Sequence, residues 1–288
     1  MRELNIRSGL FYPDKYERLM SRVLVTGDPR MDRTGVGTRS VFGPSLRYSL
    51  QDGLPAVLTK RVHMKSVIGE LMWFLSGSTD VGELRDKYGV TIWDEWALED
   101  GTIGPGYGEQ WRKAVWSNDV GKIYRIDQIK ALIDGLKEDP FGRRHIVNAW
   151  NVGQLSDMAL PPCHMMFQCY VHSNQDGEPT GLSLQLYQRS ADMFLGVPFN
   201  ITSYGILLAM LAQETGLPPR NLVISFGDAH IYTNHLAQVE EQLDRPRAGL
   251  HLPGLDLDPV ASIFDHTPDT IHVTNYHPHG PITAPVAV

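Results

Sequence analysis

A cysteine that follows two prolines and opens an apolar run is the first residue in this 288-residue chain to demand a chemical explanation. Within Met158 to Val171, MALPPCHMMFQCYV, Cys163 heads a series (Cys163, Met165, Phe167, Cys169, Val171) whose alternate side chains share one strand face. Its sulfur is then either a buried structural thiol, the common fate of a free cysteine, or a nucleophile at a strand end over a cavity. Cys169 fits the structural role, because it lies inside the strand among apolar neighbours. Cys163 lies at the boundary, next to His164 and about twenty residues after Arg143 and Arg144. Guanidinium charge nearby favours a thiolate.

Arg33 in DRTGVGT, the pair Arg143 and Arg144, and Arg189 in YQRS are either surface residues or, together, a cradle for a phosphate. The glycines after Arg33 let backbone N–H groups approach an anion. Glu70 stands between Ile68 and Leu71 in a helical pattern. It lies on a solvated face or, turned into a cavity, has the raised pKa that suits proton transfer. In TIWDEWALEDGTIGPGYGEQW, Trp93, Trp96 and Tyr107 pack a core or offer flat surfaces to an aromatic ligand, and their density favours a ligand wall.

The elements that must position these groups are readable in outline. Helical spacing covers Asp14 to about Thr26, Val62 to Leu75, Asp127 to Lys137 and Pro198 to Gly216, the last with the composition of a buried helix. Ser40 to Leu50, HIVNAW, the Cys163 run and LSLQLYQRS read as strands, the last two joined by a hairpin through NQDGEPTG. GDAHIYTNHLAQVEEQL reads as a last strand leading into a helix, followed by short strands and turns. The end, HPHGPITAPVAV, has apolar residues that favour docking as a lid.

Nothing marks a division, so residues 1–288 read as a single domain. The composition, 42% hydrophobic and 20% charged, is that of a soluble globular protein, and no apolar run is long enough to span a bilayer. The first residues lack the apolar core of a secretory signal, and two cysteines six apart form neither a disulfide framework nor a metal site, so the expected setting is cytoplasmic. A net charge of −7 argues against non-specific nucleic-acid binding but leaves room for a small anion.

Taken in order, DRTGVGT, TIWDEWA, RRH, ALPPCH, YQRSADMFLGVPFN, GDAHIY and the terminal APVAV resemble the thymidylate synthase family over nearly all of the chain. The resemblance implies an α+β fold with a large mixed β-sheet flanked by helices, used as a homodimer whose sheets pack face to face. It implies that Cys163 adds to carbon 6 of the uracil ring of dUMP, and that the resulting enolate attacks the methylene of methylenetetrahydrofolate, with no metal. Arg33, Arg189 and Ser190, with Arg143 and Arg144 of the other subunit, would grip the phosphate. Asn200 would pair with the uracil edge, and His230 and Tyr232 with the sugar hydroxyl. Tyr107, His164, Gln188 and Asp228 would line the nucleotide site, and Glu70 would relay protons. The folate would lie against Ile92, Trp93, Leu195, Gly196 and Phe199, with Asp192 accepting from its pterin, Lys60 near its glutamate tail and Val288 closing the lid. Cys163, Glu70, Tyr107, Arg189, Asn200, Asp192 and His164 form the implied catalytic set.

Four positions depart from the family pattern: Gly106 before Tyr107, Gly142 before the arginine pair, His145 after it, and Phe226 before Gly227. They bear on a sister activity, the deoxyuridylate hydroxymethylases, in which water replaces hydride, because a glycine at 106 leaves space for water beside Tyr107. Cytosine-specific relatives are disfavoured by Asn200, where an aspartate is expected. A non-catalytic RNA-binding protein is the remaining alternative, and the net charge opposes it.

Overall fold

The computed structural model describes residues 1–286 of the chain. Its first half runs β1 (Leu4–Ile6), α1 (Lys15–Thr26), β2 (Asp28–Arg30), β3 (Thr38–Phe42), β4 (Ser45–Ser49), α2 (Met64–Ser76), α3 (Val81–Tyr88), α4 (Gly108–Lys113), β5 (Ala114–Ser117), β6 (Ile123–Ile126) and α5 (Gln128–Glu138). Then follow β7 (Ile146–Asn148), β8 (His164–Ser173), β9 (Pro179–Asp192), α6 (Gly196–Thr215), β10 (Pro219–Tyr232), α7 (Leu236–Asp244), β11 (Gly254–Leu257) and β12 (Ile271–Thr274).

The large sheet has the order β2-β3-β10-β9-β8-β7, with β4 also on β10. Only the β9–β10 pairing within it is parallel, so the sheet is mixed. That parallel pair needs a crossover, and α6 supplies it. Residues Ile206 to Ala212 of α6 are completely buried, as expected for a helix apolar on all sides. Facing it, Leu184, Leu186, Leu222 and Ile224 are equally buried on the sheet. Each such leucine contributes roughly 1.5–3 kcal/mol through burial, which makes this layer a rigid platform for the strand ends beyond it.

The α+β fold agrees with expectation, and the long helices appear within about two residues of their sequence-based limits. The differences are local. Ser40 to Leu50 is two strands rather than one, because Gly43 and Pro44 break the ladder. There Gly43 N–H bonds to the Gly227 carbonyl and Phe226 N–H to the Pro44 carbonyl, so β3 and β4 each pair with a separate stretch of β10. Helices α3 and α4 and the β5–β6 hairpin were not expected. Helix α4 packs tightly on α2, since a Cβ at Gly108 would lie 2.7 Å from the Phe74 carbonyl oxygen. Among the described residues no helix is long and apolar enough to cross a membrane.

Candidate active site

The site lies where β9 and β10 end side by side. Period-two spacing sends Gln188, Ser190 and Asp192 to one side of β9, and Asp228, His230 and Tyr232 to one side of β10. Parallel register then sets Asp228 against Ser190 and His230 against Asp192. These six residues line a cavity of about 730 Å³ that also admits Cys163, Glu70, Tyr107, His164, Arg189 and Asn200. Arg33, Ile92, Trp93, Leu195, Gly196 and Phe199 complete the predicted part of the wall.

Cys163 does not follow the strand alternation expected for it. A register shift in the β8–β9 ladder between His164 and Met166 breaks the alternation that buries Phe167, Cys169 and Val171. His164 therefore turns into the core, where its Nδ1 meets the Tyr204 hydroxyl of α6 at 2.9 Å. Burial lowers the His164 pKa to about 3, so the ring is held neutral and brings no positive charge to the site.

Arg189 holds the loop before Cys163. Its Nε donates to the Pro162 carbonyl at 2.9 Å and its Nη2 to the Pro161 carbonyl at 2.6 Å, while its backbone N–H reaches the Cys163 carbonyl at 2.8 Å. The two prolines thus serve as carbonyl acceptors that bring a guanidinium to the thiol. The Cys163 N–H donates to the Tyr107 hydroxyl at 2.9 Å. Tyr107 has a positive φ (36°, with ψ −95°), a strained backbone for a non-glycine residue, and its ring is stacked on Phe74 at 5.0 Å. Burial pushes the Cys163 thiol up, and the opposing pull of Arg189, Tyr107 and Arg33 does not overcome it. Arg189 and Arg33 favour the thiolate in the expected direction, and within the single chain burial outweighs them.

Glu70 projects from α2 into the same cavity. It is buried, and its Oε1 accepts from Trp93 Nε1 at 2.7 Å. Burial raises its pKa to about 7 despite that hydrogen bond, which places its proton transfer near neutrality. The reading of Glu70 as a solvated-face residue is excluded by its position.

The polar end is preorganised. Gln188 Nε2 donates to Asn200 Oδ1 at 3.0 Å, and Gln188 Oε1 is buried with no partner among the described residues. An unpaired buried acceptor in a cavity wall fits a ligand donor. Asp192 Oδ1 accepts the Phe194 and Leu195 N–H groups, at 2.8 and 3.1 Å, which fixes the carboxylate at the head of α6. Asp228 accepts from Ser40 at 2.8 Å, from His230 Nδ1 at 3.1 Å and from Arg30 at 2.6 Å. Burial alone would raise the Asp228 carboxyl, but the bonds from His230 and Ser40 hold it below its usual range. With Nδ1 donating, His230 offers Nε2 as an acceptor to a hydroxyl.

Some expected residues lie elsewhere. Lys60 does not line the cavity: it is 5% exposed, its Nζ donates to the Phe194 carbonyl, and the ammonium sits 3.5 Å from the Phe194 ring centroid. Burial lowers its pKa to about 8. Arg143 and Arg144, expected to serve the other subunit's site, are exposed and outside the cavity of their own chain. Val288 lies outside the described residues. The tail leading towards it is docked, with His235 Nε2 donating to the Pro285 carbonyl at 2.7 Å, and Val286 reaches the cavity wall.

Arg30 and Leu160 also line the cavity and were missed, while Trp96, read only as a general aromatic surface, sits 5.9 Å under the Arg33 guanidinium. Arg30 gave no signal because only the β2–β3 pairing brings it to Asp228. Among the described residues no group of three or more His, Cys, Asp or Glu side chains is placed to hold a metal ion.

A thiol, a carboxyl titrating near neutrality, an amide pair and several cations thus converge on one aromatic-walled cavity, a setting suited to an anionic ligand beside a nucleophile. A family model described as thymidylate synthase matches residues 14–288, a span that includes every described residue of this cavity, and the chain belongs to the thymidylate synthase family.

Proposed function

We propose that this protein is a thymidylate synthase, converting dUMP to dTMP with methylenetetrahydrofolate as donor of both the one-carbon unit and the hydride. The observation that carries the reading is the convergence of Cys163, Glu70 and Asn200 in one cavity beside Arg33 and Arg189. In this reading the Cys163 sulfur bonds to carbon 6 of the uracil, carbon 5 becomes nucleophilic, and Glu70 exchanges protons at the ring through ordered water. Arg33, Arg189 and Ser190 hold the phosphate. Trp93, Ile92, Leu195 and Phe199 supply the apolar wall for the folate, and the remaining Asp192 oxygen accepts from the pterin.

The homodimer belongs to the same proposal. Tyr170 (63% exposed), Tyr187 (37%) and Ile146 (41%) leave apolar area on strands β7 to β9 of the large sheet, as expected of a face that packs on a second copy. Arg143 and Arg144 would then reach the partner's phosphate and add two cations near its Cys163. A cytoplasmic setting accords with the two free cysteines.

The hydroxymethylase reading, with water in place of hydride, is the alternative within the same family. What favours hydride over water in this reading is that Gly106 does not line the cavity and that a Cβ there would face Ile103, 3.5 Å from its Cδ1. Incubating the enzyme with dUMP and methylenetetrahydrofolate should yield a methyl nucleotide and dihydrofolate by mass spectrometry. A hydroxymethyl nucleotide with tetrahydrofolate would overturn the assignment.

Asn200 offers a sharper test of base reading. Because Gln188 donates to Oδ1, the amide Nδ2 is left to donate to a ring carbonyl. Asn200→Asp replaces that donor by an acceptor suited to an amino group. The ratio of kcat/KM for dUMP over dCMP should fall at least about tenfold, the scale of one misplaced hydrogen bond. An unchanged ratio would remove Asn200 from base recognition.

A further inference from the structure

The loop that carries Arg143 and Arg144 is closed on a single oxygen atom. The carbonyl of Asp139, which caps α5, accepts the Gly142 N–H at 2.9 Å and His145 Nε2 at 2.9 Å, so the two donors bracket the arginine pair. A carbonyl only accepts, which assigns the proton to Nε2. The His145 ring is buried, whereas both arginines are exposed.

Two glycines make room for this ring. A Cβ at Gly142 would stand 3.1 Å from His145 Nε2 and 2.8 Å from Asp139 Oδ2, and one at Gly135 on α5 would stand 3.3 Å from His145 Nδ1. Gly142 and His145 are therefore coupled by packing, since any side chain at 142 would press on the ring. The backbone anchors the far side: the His145 carbonyl accepts Cys169 N–H at 2.9 Å, and Ile146 N–H reaches the Arg144 carbonyl at 2.8 Å.

We infer that His145 is a positioning residue for the arginine pair, its ring clamping the loop to the Asp139 carbonyl so that Arg143 and Arg144 are held ready for the phosphate in the partner's site. The inference rests on the dimeric reading proposed above. Fixing the loop before the ligand arrives removes ordering entropy that binding would otherwise have to overcome.

Hybrid dimers test it. His145→Ala homodimers should show a KM for dUMP raised roughly tenfold, the scale of one lost hydrogen bond, with kcat changed less. In a hybrid with Cys163→Ser, the one site that keeps Cys163 takes its arginines from the chain with an intact His145, so its KM should return to the wild-type value. Gly142→Ala, which crowds the ring, should behave like His145→Ala, and His145→Gln, which keeps a donor, should recover most of the affinity. These two variants serve if His145→Ala does not fold, and native mass spectrometry establishes subunit exchange. A KM that stays raised in the hybrid, while an Arg143→Ala hybrid is restored, would place the effect of His145 within its own chain and overturn the inference alone. No restoration in the Arg143→Ala hybrid would overturn the dimeric reading, and the inference with it.

Discussion

Replacing Cys163 by serine is expected to lower turnover of dUMP by roughly four orders of magnitude or more, the scale seen when a covalent nucleophile is removed. Serine keeps the shape and the N–H that bonds to Tyr107 but ionises far less readily than a thiol. Burial already pushes the Cys163 thiol up, so reactivity depends on the counteracting charge of Arg189 and Arg33. An alcohol starting much higher gains nothing usable from the same charges. Nucleotide binding should survive, since the phosphate, base and sugar contacts come from other residues. Calorimetric titration with dUMP alongside a turnover assay separates the two effects, and near-normal turnover would remove Cys163 from the chemistry. Cys169→Ser is the control: its thiol is buried in β8 and burial raises its pKa to about 12. That variant should lose about 1–3 kcal/mol of stability for an unpaired buried hydroxyl and keep its turnover.

Cys163 stands out in the chain because a proline pair before an apolar strand both ends a loop and fixes where the strand begins. The role of those prolines as acceptors for Arg189 is not legible, since it depends on a contact across 27 and 28 positions. The same holds at the polar end. The spacing of 188, 190 and 192, and of 228, 230 and 232, announces two strand faces. Only the α6 crossover makes those strands parallel neighbours and pairs His230 with Asp192. The break in alternation at Met165 has no local signal, and it decides that His164 faces Tyr204 while Cys163 meets the cavity. For Lys60 the resemblance implies a place near the glutamate tail, and no local pattern shows that the Phe194 ring and carbonyl give it a buried partner. Short elements such as α4 escaped because glycine-rich segments carry little periodicity, although Gly108 is required there by the close approach to α2.

Glu70→Gln should exchange activity for stability, and the direction depends on pH. The carboxyl has an ordinary value of 4.5 and burial raises it to about 7 in the fold. Below 4.5 it is neutral both folded and unfolded. As pH rises from there, the unfolded chain releases the proton while the folded chain retains it. Stability is therefore lost until pH passes the folded value, and the full cost applies above about 7. The gap corresponds to roughly 3 kcal/mol at about 1.4 kcal/mol per pH unit, as an upper bound. Glutamine is neutral throughout and its oxygen can still accept from Trp93 Nε1, so urea unfolding should show the variant more stable by up to about 3 kcal/mol at pH 8 and nearly equal at pH 4.5. Turnover moves the other way. An amide cannot exchange protons with the ring, so kcat should fall by about 10²–10⁴-fold, the contribution of a positioned acid–base group. An inflection near pH 7 is expected in kcat/KM of the wild-type enzyme from Glu70, and it should vanish in the variant. A variant with kcat within a few-fold of wild type, or with that inflection intact, would show that Glu70 is not the proton carrier. A variant no more stable at pH 8 would show that its carboxylate is better solvated than its buried place beside Trp93 implies.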